Sequence, residues 1–159
     1  MSNKTDLLAL VIDRTALIEN LLNQVIENFC APRKQAFMFF WNVLLDSSIM
    51  PIGSKAKVAM AIAQELGAKL DQKSIHAVMS LRNAFAHHKI GSHPVVSVGA
   101  SPKDSQVHYE LQIISNSGKL SRKRRDDALS EFNSSYQFAK GSLVALLEAV
   151  KSRRAADTV

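Results

Sequence analysis

The chain has 159 residues, of which 47% are hydrophobic and 21% charged. This length suits one domain with a core of its own, and the apolar content excludes a disordered chain. Twenty Lys and Arg against 14 Asp and Glu give a formal net charge of +6, which favours polyanionic partners but says nothing about the fold.

The sequence also indicates where the protein resides and whether disulfides or bound metals stabilise its fold. A single cysteine, Cys30, excludes an internal disulfide framework and cysteine-rich zinc sites. The first residues lack a signal-peptide pattern, because Asp6, Asp13 and Arg14 interrupt every apolar run. No apolar stretch approaches the roughly 20 residues needed to cross a bilayer. We therefore expect a soluble, cytoplasmic protein with no membrane contact.

Four helices are predicted in the first half of the chain. Apolar residues spaced three and four apart place them at residues 5–29, 35–45, 55–66 and 71–88. Ser54 is expected to cap the third helix and Gly67 to end it. The lysines of this helix are expected on one side, with Val58, Ile62 and Leu66 on the other.

Residues 35–45 are dense in aromatic side chains, which would also suit a short buried strand. The spacing of the apolar residues favours a helix. We expect Phe37, Phe39, Phe40 and Trp41 to belong to the core rather than to a ligand pocket. Any exposed part of this cluster would serve a dimer interface.

The pattern changes after residue 94. Residues 94–98 and 106–114 alternate between apolar and polar types, with turn-forming residues between and after them. This alternation predicts a small antiparallel element, with a third strand starting at Lys119. Asp126 or Asp127 then begins a long last helix.

Together these elements predict a mainly α fold. It is a bundle of about five helices with a small β-hairpin inserted before the last helix, at about residues 94–124. The chain shows no internal repeat and no linker, so we expect a single domain over residues 1–154. The polar residues 155–159 are expected to form a disordered tail.

Two arginines interrupt apolar stripes, Arg14 in the first helix and Arg82 in the fourth. A guanidinium keeps its charge, so a buried one requires an anionic or carbonyl partner or an opening to water. Asp13 and Glu19 are candidate partners. Alternatively, both arginines lie at the edge of their stripe and extend their heads outward, which is the interpretation we favour for Arg14.

Arg82 differs because Asn83 and His87 follow it. Asn83 and His87 are four residues apart and share one helical face, with Arg82 on its flank. An imidazole can give or take a proton near neutral pH, and a cation beside it can hold a phosphate and stabilise its growing charge. His87 has no convincing companions for a metal, and no motif indicates a cofactor.

The stretch Arg82-Asn83-Ala84-Phe85-Ala86-His87 resembles a signature of the HEPN superfamily, an Arg followed after four to six residues by a His. A polar residue commonly follows the arginine of that signature. The succession of residues 53–66 and 80–87 is similar to the mannitol-operon-repressor-like branch. In that branch a Ser-Lys helix precedes an Arg-Asn-x-x-Ala-His helix. The resemblance covers roughly residues 7–91.

The resemblance implies a helical bundle that forms a homodimer in which two motif helices face each other across a cleft. Active HEPN proteins are metal-independent endoribonucleases. By resemblance, His87 would be the general base on the ribose 2′-hydroxyl, Arg82 would stabilise the phosphorane, and Asn83 would orient the phosphate or the histidine. Such a toxin- or defence-type enzyme would have an RNA substrate and an antitoxin or regulatory protein partner.

A second hypothesis follows from the same resemblance. Many relatives in the repressor-like branch look like regulatory or interaction proteins, with roles such as transcriptional regulation. Asn83 and His87 could then be purely structural, since an imidazolium complements the negative end of a helix dipole. This hypothesis predicts no RNA cleavage.

A basic run follows the β-hairpin and supplies candidate nucleic-acid-binding residues: Lys119, Arg122, Lys123, Arg124 and Arg125. Phosphates would be attracted to it in a salt-dependent way, although such runs are more often solvated faces. Aromatic residues do not interleave with these cations, and no helix-turn-helix pattern is evident. Passive nucleic-acid binding is therefore the third, weaker hypothesis.

Overall fold

The computed structural model describes residues 4–87, 94–97, 106–115 and 117–156, and side chains over residues 6–87, 109–115 and 117–156. The described residues form five helices and one three-stranded sheet. The helices are α1 (Lys4–Cys30), α2 (Phe37–Phe39), α3 (Ile52–Glu65), α4 (Gln72–His87) and α5 (Arg125–Ala156). The strands are β1 (Pro94–Ser97), β2 (Gln106–Ile114) and β3 (Leu120–Arg124).

The core lies between the two long helices. α1 buries a stripe at helical spacing that includes Val11, Ile18 and Leu22, and α5 buries a matching stripe that includes Phe132 and Leu143. α1 packs along α5 and also contacts α3 and α4. The mainly α architecture with a β insertion before the last helix is thus confirmed.

The three strands form an antiparallel sheet in the order β1-β2-β3. Leu111 and Ile113 of β2 are buried, so this face of the sheet packs toward the helices, and β2 contacts α4. The predicted third strand is present and begins at Leu120. Residues 98–105, which connect β1 to β2, lie outside the described part of the chain.

The start of α3 differs from the prediction, whereas its end agrees. The helix begins at Ile52 after Pro51, so Ser54 lies within its first turn and is not the cap. At the other end Gly67 has φ +62°, and Ala68 N–H donates to Ala63 O at 2.8 Å. These features form a Schellman motif, which needs a residue without a Cβ penalty in the left-handed region.

The aromatic segment departs most from the prediction. Instead of one helix over 35–45, a 3₁₀ turn (Lys34–Ala36) leads into the short α2 and a π-helical turn (Phe40–Leu44). No residue of these three pieces is fully buried. Phe40 and Trp41 pack partly against the core, whereas Phe39 is 57% exposed. The expectation that the whole cluster is core is therefore wrong, since the segment has only one side against the bundle.

The last helix is slightly longer than predicted. α5 continues to Ala156, two residues into the predicted tail, and residues 157–159 lie outside the described residues. None of the helices in the described ranges combines the length and apolar character needed to span a membrane.

Candidate functional site

α4 carries Arg82, Asn83 and His87. The N-terminal cap of this helix and its buried face determine where these side chains point. Asp71 caps the helix by accepting hydrogen bonds from Ser74 N–H at 3.0 Å and Ser74 Oγ at 2.7 Å. These bonds lower the pKa of the Asp71 carboxyl. The buried face of α4 includes Ile75, Val78 and Leu81. Asn83 and His87 lie off this buried face and are exposed.

A cleft of about 510 Å³ lies between the C-terminal half of α4 and the sheet. We call it the α4–sheet cleft, lined by Met79, Ser80, Asn83, Ala84, His87, Gln112, Ile114, Ser115 and Leu120. Asn83 and His87 both contribute to it, because residues four apart stack on one helical face. Both side chains are exposed, so a ligand in the cleft can reach them.

Arg82 does not line this cleft. Its Nη1 donates to Asn83 Oδ1 at 3.1 Å, so the guanidinium is joined to the cleft through the neighbouring amide. On its other side, its positive charge helps to lower the pKa of Glu19 on α1. Because Asn83 Oδ1 accepts from Arg82, the Asn83 amide nitrogen is the atom that can donate to a ligand.

Glu19 lies in a cluster of polar groups beside Arg82. Lys55 Nζ and Ser47 Oγ each donate to Glu19 Oε1 at 2.5 Å. Burial raises the pKa of the Glu19 carboxyl, but the hydrogen bonds from Lys55 and Ser47 and the charges of Lys55 and Arg82 outweigh it and lower the pKa overall. Lys55 is only 1% exposed, so the expectation that the lysines of α3 lie on its outer side is wrong for this residue.

Arg14 has different partners from those expected. Its Nη1 donates to Asn133 Oδ1 on α5, and its guanidinium carbon lies 5.2 Å from the centre of the Tyr136 ring. Arg14 is half-buried rather than extended into water. It joins α1 to α5, whereas Glu19 pairs with Lys55.

The sheet divides the basic run between two faces. Lys123 stands opposite the buried Leu111 and forms an ion pair with Glu131 of α5. The Arg125 guanidinium lies 5.6 Å from the Tyr109 ring centre and 3.8 Å from Asp126.

The remaining members of the run are exposed: Lys119 lies in the turn before β3, and Arg122 and Arg124 lie on the strand. The five residues therefore do not form one continuous basic surface, because successive residues of a strand point to opposite faces.

The other histidines are spread over the chain. His76 Nε2 lies 3.2 Å from Gln72 Nε2, one turn before it on α4. His88, His93 and the side chain of His108 lie outside the described residues. Among the side chains that are described, no three His, Cys, Asp or Glu residues gather in a way that could hold a metal ion.

Two contributors to this region were missed from the sequence. Lys55 shares helical spacing with the buried Ala59 and Ile62, and this periodicity could have placed it inside. Gln112 occupies an ordinary polar position on β2, and nothing local in the sequence links it to α4. Its place in the cleft follows only from how the sheet packs on the helix.

Comparisons with protein-family models, with curated proteins and with solved structures give no match to this chain.

Proposed function

We propose that this chain is a cytoplasmic, metal-independent endoribonuclease of HEPN type, acting as a homodimer in a toxin or defence role. The observation that carries the proposal is the placement of Asn83 and His87 in one cleft, with Arg82 hydrogen-bonded to Asn83. A proton-transfer group, a neutral donor and a fixed cation thus occupy one end of α4, which is the set that phosphodiester transesterification requires.

The proposed reaction uses the 2′-hydroxyl of the RNA as the nucleophile. His87 takes the hydroxyl proton, and the 2′-oxygen attacks the adjacent phosphorus to form a pentacoordinate phosphorane. The bond to the 5′-oxygen then breaks, leaving a 2′,3′-cyclic phosphate and a 5′-hydroxyl. The leaving oxygen takes a proton from a donor, for which we propose His87 of a second copy, while Arg82 stabilises the phosphorane charge.

The homodimer has support in an exposed apolar surface, the α2 patch. Its members are Phe37, Met38, Phe39, Val43, Leu44 and Ile49. Clusters of this kind mark interaction sites, whereas single exposed hydrophobes do not. The patch adjoins Ser47, whose hydroxyl bonds to Glu19 beside Arg82. An interface there would lie on the Arg82 side of α4, as a dimer with a shared active site requires.

The test is cleavage of single-stranded RNA in EDTA by wild type and by His87→Ala. General acid–base catalysis is worth about 10²–10⁴-fold, so the variant should lose at least two orders of magnitude in rate. His76→Ala is the matched control, because His76 lies on the same helix and outside the α4–sheet cleft. Cleavage that persists in His87→Ala, or that falls equally in His76→Ala, would contradict the proposal.

The second candidate function is a non-catalytic regulatory or interaction protein. The α2 patch favours it as well, because a regulator needs an exposed surface for association but no reactive group. In this case neither wild type nor His87→Ala cleaves RNA, although both remain folded. The same assay therefore separates the two functions.

A further inference from the structure

The register between β2 and β3 brings one member of the basic run to the α4–sheet cleft. Gln112 pairs directly with Arg122, and Ile114 pairs with Leu120. Residues directly opposite each other on neighbouring strands share a face of the sheet. Gln112, Ile114 and Leu120 all line the cleft. Arg122 therefore lies on the same face of the sheet as these three lining residues and next to Gln112, although it does not itself line the cleft.

Lys123, the next residue, belongs to the opposite face. It stands across from Leu111, and its ammonium is paired with Glu131. Arg124 lies on the same face as Arg122, but it stands opposite the acidic Glu110 and lies two residues further than Arg122 along β3 from Leu120, which lines the cleft. No ion pair joins Arg122 to a carboxylate among the described residues. Of these three cations, Arg122 is thus the one that stands directly opposite a residue lining the cleft, Gln112.

The cleft walls offer groups suited to a nucleotide. Asn83 and Gln112 carry amides, which can both donate and accept hydrogen bonds with the edge of a base. Ile114 and Leu120 are 64% and 56% exposed, so they present an apolar surface against which the flat face of a base can lie. A volume of about 510 Å³ falls in the range of small-ligand sites.

We infer that the α4–sheet cleft binds one nucleotide of a single-stranded RNA, with Gln112 on the edge of its base and Arg122 on a phosphate. This inference deepens the proposed function, on which it rests, since the bound strand is the one that His87 would cut. It assigns the β insertion the role of holding the substrate, and it makes Gln112 and Arg122 binding residues rather than catalytic ones.

The test measures binding separately from cleavage. Short, labelled, 2′-O-methylated RNA cannot be cut, and its affinity for the protein is followed by fluorescence anisotropy from about 50 to 300 mM salt. Arg122→Gln should weaken binding about tenfold, since a charge-assisted hydrogen bond is lost. The slope of log affinity against log salt should fall by about 0.7, the value for one phosphate on a single strand.

Lys123→Gln is the matched control, because it removes the same charge one residue away on the opposite face. Its affinity and salt slope should stay within about twofold of wild type. Gln112→Leu should retain the salt slope but reduce the differences in affinity among homopolymers of the four bases. Circular dichroism melts verify that each variant is folded.

Each outcome decides the inference independently of the proposed function. Equal losses in Arg122→Gln and Lys123→Gln, an unaffected Arg122→Gln, or no binding by wild type would overturn it. Cleavage by wild type together with an unaffected Arg122→Gln would leave the enzyme proposal standing without this site. Arg122-dependent binding without any cleavage would retain the site and remove the proposed activity.

Discussion

Among the described residues, Lys55 is the one charged residue that is buried, and removing its ammonium from water is costly. Its compensation is the Glu19 carboxylate, held at 2.5 Å and also bonded to Ser47. The two members differ in access to water, since the side chain of Lys55 is 1% exposed and that of Glu19 is 25% exposed. Breaking a buried pair from the exposed side leaves the deeper charge without a partner.

We expect Glu19→Gln to lower the free energy of unfolding by about 3 kcal/mol, because the buried ammonium of Lys55 loses its counterion. Lys55→Met should cost less, about 1 kcal/mol, because water and Ser47 can still solvate Glu19. Urea denaturation at pH 7 measures both values. A larger loss in Lys55→Met would show that the packing of the lysine stem, rather than its charge, stabilises this region.

The same pair predicts a pH dependence with a definite sign. The folded state lowers the pKa of Glu19 from its ordinary value of 4.5, so its stabilising contribution is fully present above that pH. The contribution is lost as the pH falls through the lowered, folded-state pKa. Urea midpoints of wild type should therefore fall more steeply below pH 4.5 than those of Glu19→Gln. Parallel curves for the two proteins would contradict this role.

In two of the helices, glycine has opposite effects on stability: it stabilises the end of α3 and destabilises the interior of α5. Gly67 ends α3 with φ +62° in the Schellman motif, a conformation that costs an L-residue about 1–2 kcal/mol. Gly141 lies inside α5 and is exposed. A Cβ added to it would have no neighbouring atom within 4 Å. The backbone, not the space around each residue, decides what a substitution does at these positions.

Gly67→Ala should lower the free energy of unfolding by about 1 kcal/mol, since alanine resists positive φ. Gly141→Ala should raise it by about 1 kcal/mol, because alanine is the best helix former and glycine a poor one. Thermal melts of the two variants beside wild type provide the measurement. Effects of the same sign would mean that the end of α3 adjusts without the Schellman motif.

In the molecule as a whole, the α2 patch is an apolar surface that the packing of the helices leaves uncovered. Phe39 and Val43 lie about one turn apart, and Met38 next to Phe39 is 65% exposed. A globular chain with a well-packed core between α1 and α5 gains nothing from leaving these side chains in water. A second copy covering the patch would remove this apolar surface from solvent, as obligate homodimer interfaces do.

We therefore expect Phe39→Glu to convert a dimer into a monomer, because the interface would bury an unpaired carboxylate. Phe138→Glu is the control, since Phe138 is 66% exposed on α5 and remote from the patch in sequence. Light scattering after size-exclusion chromatography gives the mass of each protein. A wild-type monomer, or a Phe39→Glu dimer as stable as wild type, would refute this interface.

Predictions from the sequence were correct where the structure depends on residues a few positions apart in the chain. The helical stripes of α1 and α5, the end of α3 at Gly67 and the alternating strands are set by neighbours a few residues apart, and these predictions are confirmed. Asn83 and His87 share a face for the same reason. The segment 35–45 was mispredicted as one buried helix, because burial depends on what covers a segment and periodicity does not report that.

Local spacing in the amino-acid sequence was enough to predict the class of fold, the order of its elements and the chemical groups at the end of α4. The packing of the elements was needed to establish that Lys55 pairs with Glu19, that Arg14 joins α1 to α5, and that the basic run divides between two faces of a sheet. The physical reason is that local spacing sets the direction of a side chain on its own element. Its partners come from other elements, such as Glu19 for Lys55, 36 positions away in the chain.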